Sequence, residues 1–165
     1  QALADDTDLK NFLETHFYNY EDFEKLDDFE NLDIIIDSIF DDNINKTPLI
    51  NKVFKKNIPI ESDNGPINHT LYYLPVREGN GENPSKVDSV YVSYEGSLLD
   101  GSIFDRSNIP IWFDLTSVVM GFKEGVSEFK PGDFSVNDDN TINYQNYGQG
   151  LIFIPSGLGY FAQSL

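Results

Sequence analysis

Residues 87–105 alternate apolar and polar side chains, with Val90, Val92 and Tyr94 on one face, and then turn at Asp100-Gly101. Alternation of period two specifies a half-buried strand. Asp-Gly supplies the positive φ angles that a tight hairpin turn demands. A β-hairpin here limits the chain to folds with an antiparallel sheet. Further strands are predicted at 70–74 (TLYYL), 111–115 (IWFDL) and 151–154 (LIFI). A short helix is predicted over 118–129, with Gly121 and Gly125 on one side.

The first third follows another period. Leu9, Phe12, Leu13 and Phe17 recur at helical spacing, so residues 5–28 read as a helix, with Asp5, Asp6 or Thr7 able to cap it. At residues 32–40 (LDIIIDSIF) three consecutive isoleucines favour a strand, while Ile35, Ile36 and Phe40 also suit a short helix. The balance leans to helix or mixed structure. Ser62-Asp63-Asn64-Gly65-Pro66 is a turn signal. The division into an acidic, mainly helical extension (1–60) and a second unit (61–165) follows. Residues 133–149, rich in Asn and Asp, read as an inserted loop.

Charge narrows the functions available. The formal net charge is −17, and residues 1–50 carry 14 acids against Lys10, Lys25 and Lys46. That field repels phosphate backbones and anionic lipid surfaces, so nucleic acid is not an expected partner. Without cysteine there is no disulfide, thiol nucleophile or Cys-based zinc site. The acidic clusters around Asp5, Asp37 and Asp138 read as solvated surface, the last lacking the Gly and bidentate Glu of an EF-hand loop, so no metal or cofactor is expected. Thirteen Phe and nine Tyr, beside a single Met and a single Trp, require rings to supply much of the core. His16 and His69 have no nucleophile–base context, and His69 reads as a strand-edge surface residue. Alternation puts Trp112 on the face opposite Ile111 and Phe113, where the N-terminal extension is the segment available to cover it.

Several motifs occur in order: VYVSYEGSLLDGSIFD at 90–105, Pro110, WFDL at 112–115, VVMGFKEGV at 118–126, FKPG at 129–132 and IPSGLGY at 154–160, preceded by LYYLPVREGNGENP at 71–84. This series resembles the FKBP isomerases. The resemblance implies an α+β fold, an antiparallel sheet curled around one short helix with an apolar pocket between them. It implies that Tyr94, Phe104, Asp105, Val119, Phe122 and Tyr160 carry the activity, with Ile111, Phe113 and Val118 binding substrate. Phe122 would form the floor, and the Val119 N–H and Tyr160 hydroxyl would donate to a substrate carbonyl. Asp105 would orient the pocket through hydrogen bonds. Ile111 stands where the family often has Phe.

Isomerisation of X-Pro bonds in unfolded or flexible polypeptides is the implied activity, with a folding-helper role, and a non-catalytic peptide-binding module is the alternative. Prolyl rotation faces a barrier of ~18–20 kcal/mol from amide resonance, and no bond forms or breaks. A ring-lined cavity with a few fixed hydrogen bonds suits that task, and removing ~4–7 kcal/mol gives roughly 10³–10⁵-fold acceleration. Larger bacterial members carry helical N-terminal segments, several as envelope lipoproteins. The resemblance therefore implies export, a lipid anchor lost upstream of Gln1, and oligomerisation or packing through residues 1–60. The family continues past the position of Leu165 through a loop and a final strand, so the chain is expected to be a piece of a longer protein.

Overall fold

The computed structural model describes residues 2–25 and 32–159. In chain order the elements are α1 (Ala2–Thr15), β1 (His16–Tyr18), α2 (Tyr20–Lys25), β2 (Ile36–Ser38), β3 (Phe54–Ile60), β4 (Ile67–Arg77), β5 (Ser89–Ser97), β6 (Ile103–Asp114), α3 (Met120–Val126), β7 (Asp133–Val136), β8 (Ile142–Gln145) and β9 (Gln149–Phe153). Short 3₁₀ turns occupy Asp41–Asn43, Leu49–Asn51 and Ser156–Leu158. The class is α+β, as the resemblance implies.

Strand β4 lies at the centre of one antiparallel sheet, flanked by β3 and β9. Strands β5 and β6 form the hairpin legible in the sequence, with Val90 opposite Phe113 and Tyr91 opposite Trp112. Its turn closes on Gly101 at φ 85°, whose N–H donates to the Leu98 carbonyl at 3.0 Å. Among the described residues no backbone ladder joins β4 to β5. Helix α3 spans the gap instead. On one side Gly121 and Gly125 lie so close to Ile154 and Ile152 that a Cβ would overlap them. On the other, Phe122 reaches the β6 ring of Phe113.

The predicted helix over 5–28 starts earlier and breaks sooner, and residues 26–28 lie outside the described residues. Helix α1 begins at Ala2, so Asp5, Asp6 and Thr7 stand inside it rather than capping it. It ends at Thr15, whose hydroxyl donates back to the Asn11 carbonyl at 2.8 Å. The chain then runs extended through residues 16–18, with Phe17 and Tyr18 both buried. Pairing with β2 satisfies the backbone there, and the Asn19 side chain bonds both Asp33 O and Ile35 N. Thus residues 36–38 are strand, and Ile35 and Phe40 are exposed.

Residues 133–149 are no irregular loop. Strands β7 and β8 pair there through Phe134–Tyr144 and Val136–Ile142. The alternation was hidden among Asn and Asp, which belong to the turn itself. Asn140 takes φ 62° and Asp139 accepts from the Thr141 N–H and hydroxyl.

The main core joins the N-terminal third to the sheet: Leu9 and Leu13 of α1 pack with Tyr18, Phe23 and Leu49 against Tyr72, Leu74 and Phe153. Rings supply five of the buried apolar residues, but the most deeply buried side chains, Leu13, Leu49, Leu71, Leu115 and Leu158, are all leucine. His69 is buried, contrary to the surface placement read from sequence. It lies on the inward face of β4 opposite Ile58, and Gly157 approaches its ring too closely to admit a Cβ.

Candidate functional site

The pocket side chains come from the inward faces of β5 and β6 and from α3. Alternation turns Val90, Val92, Tyr94 and Gly96 of β5 one way, and each is at least half-buried while its neighbours are exposed. The Tyr94 hydroxyl donates to Asp105 Oδ2 at 2.7 Å across the hairpin. Edge to face, the Tyr94 ring meets Phe113 at 5.2 Å, and Phe113 meets Phe122 of α3 at 5.3 Å. Offset and T-shaped pairs of this kind are the favoured ring geometries. A wall of three rings therefore runs from the hairpin to the helix.

Phe104 packs over Gly96, where a Cβ would overlap its ring, and still leaves more than half of its surface open to solvent. Ile111 stands opposite Val92 and is exposed. Val118 and Val119 are half-buried. Val119 caps α3 with extended backbone angles (φ −60°, ψ 147°), and its carbonyl accepts the Lys123 N–H at 3.1 Å. The geometry thus gathers Tyr94, Asp105, Phe113 and Phe122, while Phe104 and Ile111 lie on the same hairpin and Val118 and Val119 lead into α3. Tyr160 lies outside the described residues. Trp112 is on the opposite face, as alternation requires. It is not covered by the N-terminal extension but is 62% exposed, with its ring tilted against that of Tyr91.

Sequence reasoning missed the ion cluster beneath α3. Glu124 is buried and bonds Lys56 of β3 at 3.0 Å and Lys86 at 2.7 Å; Lys56 also pairs with Glu128. Burial pushes the Glu124 carboxyl up, but the Lys86 and Lys56 ammonium groups outweigh it and hold the carboxyl below its ordinary value. Lys56 titrates above its ordinary value, because its bonds to Glu128 and Glu124 outweigh the opposing effect of burial. The cluster fixes the helix that carries Phe122 to strand β3 and to the loop before β5. No sequence signal marks it, because Glu124 sits among the ordinary charges of KEG. Among the described residues no three His, Asp or Glu side chains converge as metal ligands, and no helix is long and apolar enough to cross a membrane.

The structure thus packs a short helix between antiparallel strands, with a wall of rings steadied by a Tyr–Asp bond. The chain belongs to the FKBP-type peptidyl-prolyl cis-trans isomerase family, whose model matches residues 80–165. It is 36% identical over 96 residues to the probable FKBP-type peptidyl-prolyl cis-trans isomerase FkpA of Neisseria meningitidis, covering 56% of this chain and 30% of that protein. It is 40% identical over 65 residues to the peptidyl-prolyl cis-trans isomerase Mip of Coxiella burnetii, covering 38% of this chain and 28% of the other. The crystal structure of FkpA from Escherichia coli aligns with a TM-score of 0.44 at 32% identity, over 62% of this chain and 40% of that one. These alignments span less than half the length of each of the three proteins.

Proposed function

We propose that the chain catalyses cis–trans isomerisation of X-Pro bonds in unfolded or flexible polypeptides. The observation that carries this reading is the ring wall Tyr94–Phe113–Phe122 with Asp105 bonded to Tyr94, in a chain of the FKBP family. A prolyl ring resting on Phe122 would leave water, and the twisted amide, having lost its resonance, is less dipolar than the planar one. An apolar cavity therefore favours the transition state over the ground state. Hydrogen bonds from the Val119 N–H and the Tyr160 hydroxyl would hold the substrate carbonyl. Phe104, Ile111 and Val118 would line the mouth and Phe113 the wall.

A protease-coupled assay with a short prolyl peptide tests the proposal. The expected outcome is acceleration of the slow cis phase that falls when Phe122 is replaced. Binding of the peptide with no acceleration would instead support a non-catalytic peptide-binding module, which the exposed Ile111 rim would suit.

The exported, envelope-associated location belongs to the same proposal. It is supported by a relative from Legionella longbeachae called outer membrane protein MIP, 34% identical over 98 residues. Cell fractionation tests it, and metabolic labelling with a fatty acid tests the lipoprotein anchor. The division at 60/61 and self-association through residues 1–60 are likewise proposed. Limited proteolysis and sedimentation velocity check them.

A further inference from the structure

The hairpin β7–β8 has one apolar face. Phe134 lies opposite Tyr144 and Val136 opposite Ile142, and directly paired residues share a face of the sheet. All four are exposed, Phe134 by 66%. Tyr144 meets Tyr91 at 5.0 Å, and Tyr91 meets Trp112 at 5.1 Å. The apolar face therefore continues onto the outer side of β5–β6, back to back with the ring pocket. Six side chains form the surface.

The hairpin is not loosely hung. The Asp133 carboxylate accepts from Asn80 at 3.1 Å and Asn146 at 3.2 Å, Gly81 N–H donates to the Pro131 carbonyl at 2.8 Å, and Arg77 Nε donates to the Tyr147 carbonyl at 2.8 Å. Its base is therefore tied at several points to the strand β4 and the loop that follows it. Its apolar face is held out to solvent.

Charge chooses among occupants. Asp133, Asp138 and Asp139 belong to the hairpin and Asp114 follows Trp112, while no Lys or Arg occurs after Lys130. Bonds from Thr116 to Asp114 and from Thr141 to Asp139 hold both carboxyls below their ordinary values, so they stay charged. A second copy would set these carboxylates against their equals. At about 150–250 Å² per ring, the exposed part of the six residues comes to roughly 600 Å², enough for one chain to rest on. A standard interface of ~800 Å² per partner is little more than half apolar, so charge rather than area decides against a second copy. An anionic membrane meets the same repulsion. A cationic chain with apolar side chains finds both its needs met, because Lys and Arg are attracted to Trp and Tyr faces as well as to the rim.

We propose that the face formed by Tyr91, Trp112, Phe134, Val136, Ile142 and Tyr144 is a second polypeptide-binding site, which takes extended segments carrying Lys or Arg beside apolar residues. It rests on the folding-helper reading for its biological sense but not on the pocket, and it would hold a client chain while the opposite face works on proline. Trp112 is the only tryptophan in the chain, so its fluorescence reports the site directly.

The full chain would be titrated with a short proline-free peptide of Lys, Leu and Phe, with a Glu-for-Lys peptide as control. Binding of the Lys peptide that shifts Trp112 emission, weakens as salt rises, and falls at least tenfold in Phe134→Ser and Tyr144→Ser is the expected result. Isomerisation of a short prolyl peptide should be unchanged in both variants, so loss of that activity in the parent chain would touch only the pocket reading. Equal binding of the two peptides, no binding, or variants that bind like the parent would overturn the proposal. So would a concentration-dependent dimer that these substitutions abolish.

Discussion

Tyr94 and Asp105 face each other across the β5–β6 hairpin, and their 2.7 Å bond is a polar link in a wall made of rings. Tyr94→Phe removes it and leaves the ring in place. At about 1 kcal/mol for such a bond, kcat/KM for a prolyl peptide should fall about fivefold with little change in Tm; an unaltered kcat/KM would mean that Asp105 does not orient the pocket. Phe122→Leu tests the floor separately. It keeps most of the volume but loses the edge-to-face packing on Phe113, so kcat/KM should drop about tenfold while unfolding stability falls by about 1–2 kcal/mol. Equal activity would remove Phe122 from the site. The resemblance carried by the ordered motifs pointed to these positions, and alternation gave the face only of the strand residues such as Tyr94. His69 was not readable, since one buried histidine leaves no pattern of its own.

At the scale of elements, α3 is held by packing on one side and by charge underneath. Glu124 ionises more readily in the folded chain than in the unfolded one. Its contribution is therefore complete above the ordinary carboxyl value of 4.5 and fades as pH falls through the lower folded value. Lys56, shifted upward, contributes fully below 10.5 and loses its effect as pH rises through the folded value. Glu124→Gln should cost about 1–3 kcal/mol near pH 7, below the ~3–5 kcal/mol of breaking a fully buried pair, because both lysines can reach water. Urea unfolding at about pH 7 and pH 3 checks the sign. The gap between variant and parent should narrow in acid, and a gap of constant size would show that the cluster is not electrostatic. On the other side of the helix, Gly125→Ala drives a methyl into Ile152 and should destabilise by about 1–3 kcal/mol, measured by thermal melting; no loss would mean that α3 can move away from β9.

Across the whole molecule, the N-terminal third and the sheet share one core, with Leu9 and Leu13 of α1 packed against Tyr72, Leu74 and Phe153. Leu13 is fully buried, so Leu13→Ala should cost about 2–5 kcal/mol. Calorimetry should show a single transition shifted to lower temperature, pocket included. Two transitions, with only one shifted, would show that the extension unfolds separately. The apolar face of α1 is thus used within the chain.

The sequence by itself determined the likeness and the place of about half the elements. Local pattern marked α1, β4, β5, β6, α3 and β9, though not their exact bounds, and Asp100-Gly101 marked the hairpin turn, because backbone geometry forces side chains onto faces in a local, countable way. Tertiary structure decided the rest. It stopped α1 at Thr15, where residues 16–18 pair with the distant strand β2 instead. It drew a hairpin out of the Asn- and Asp-rich insertion, buried His69 beneath Gly157, and brought Lys56 and Lys86 to Glu124. Each of these outcomes depends on partners far away in the chain, and no local period records a partner.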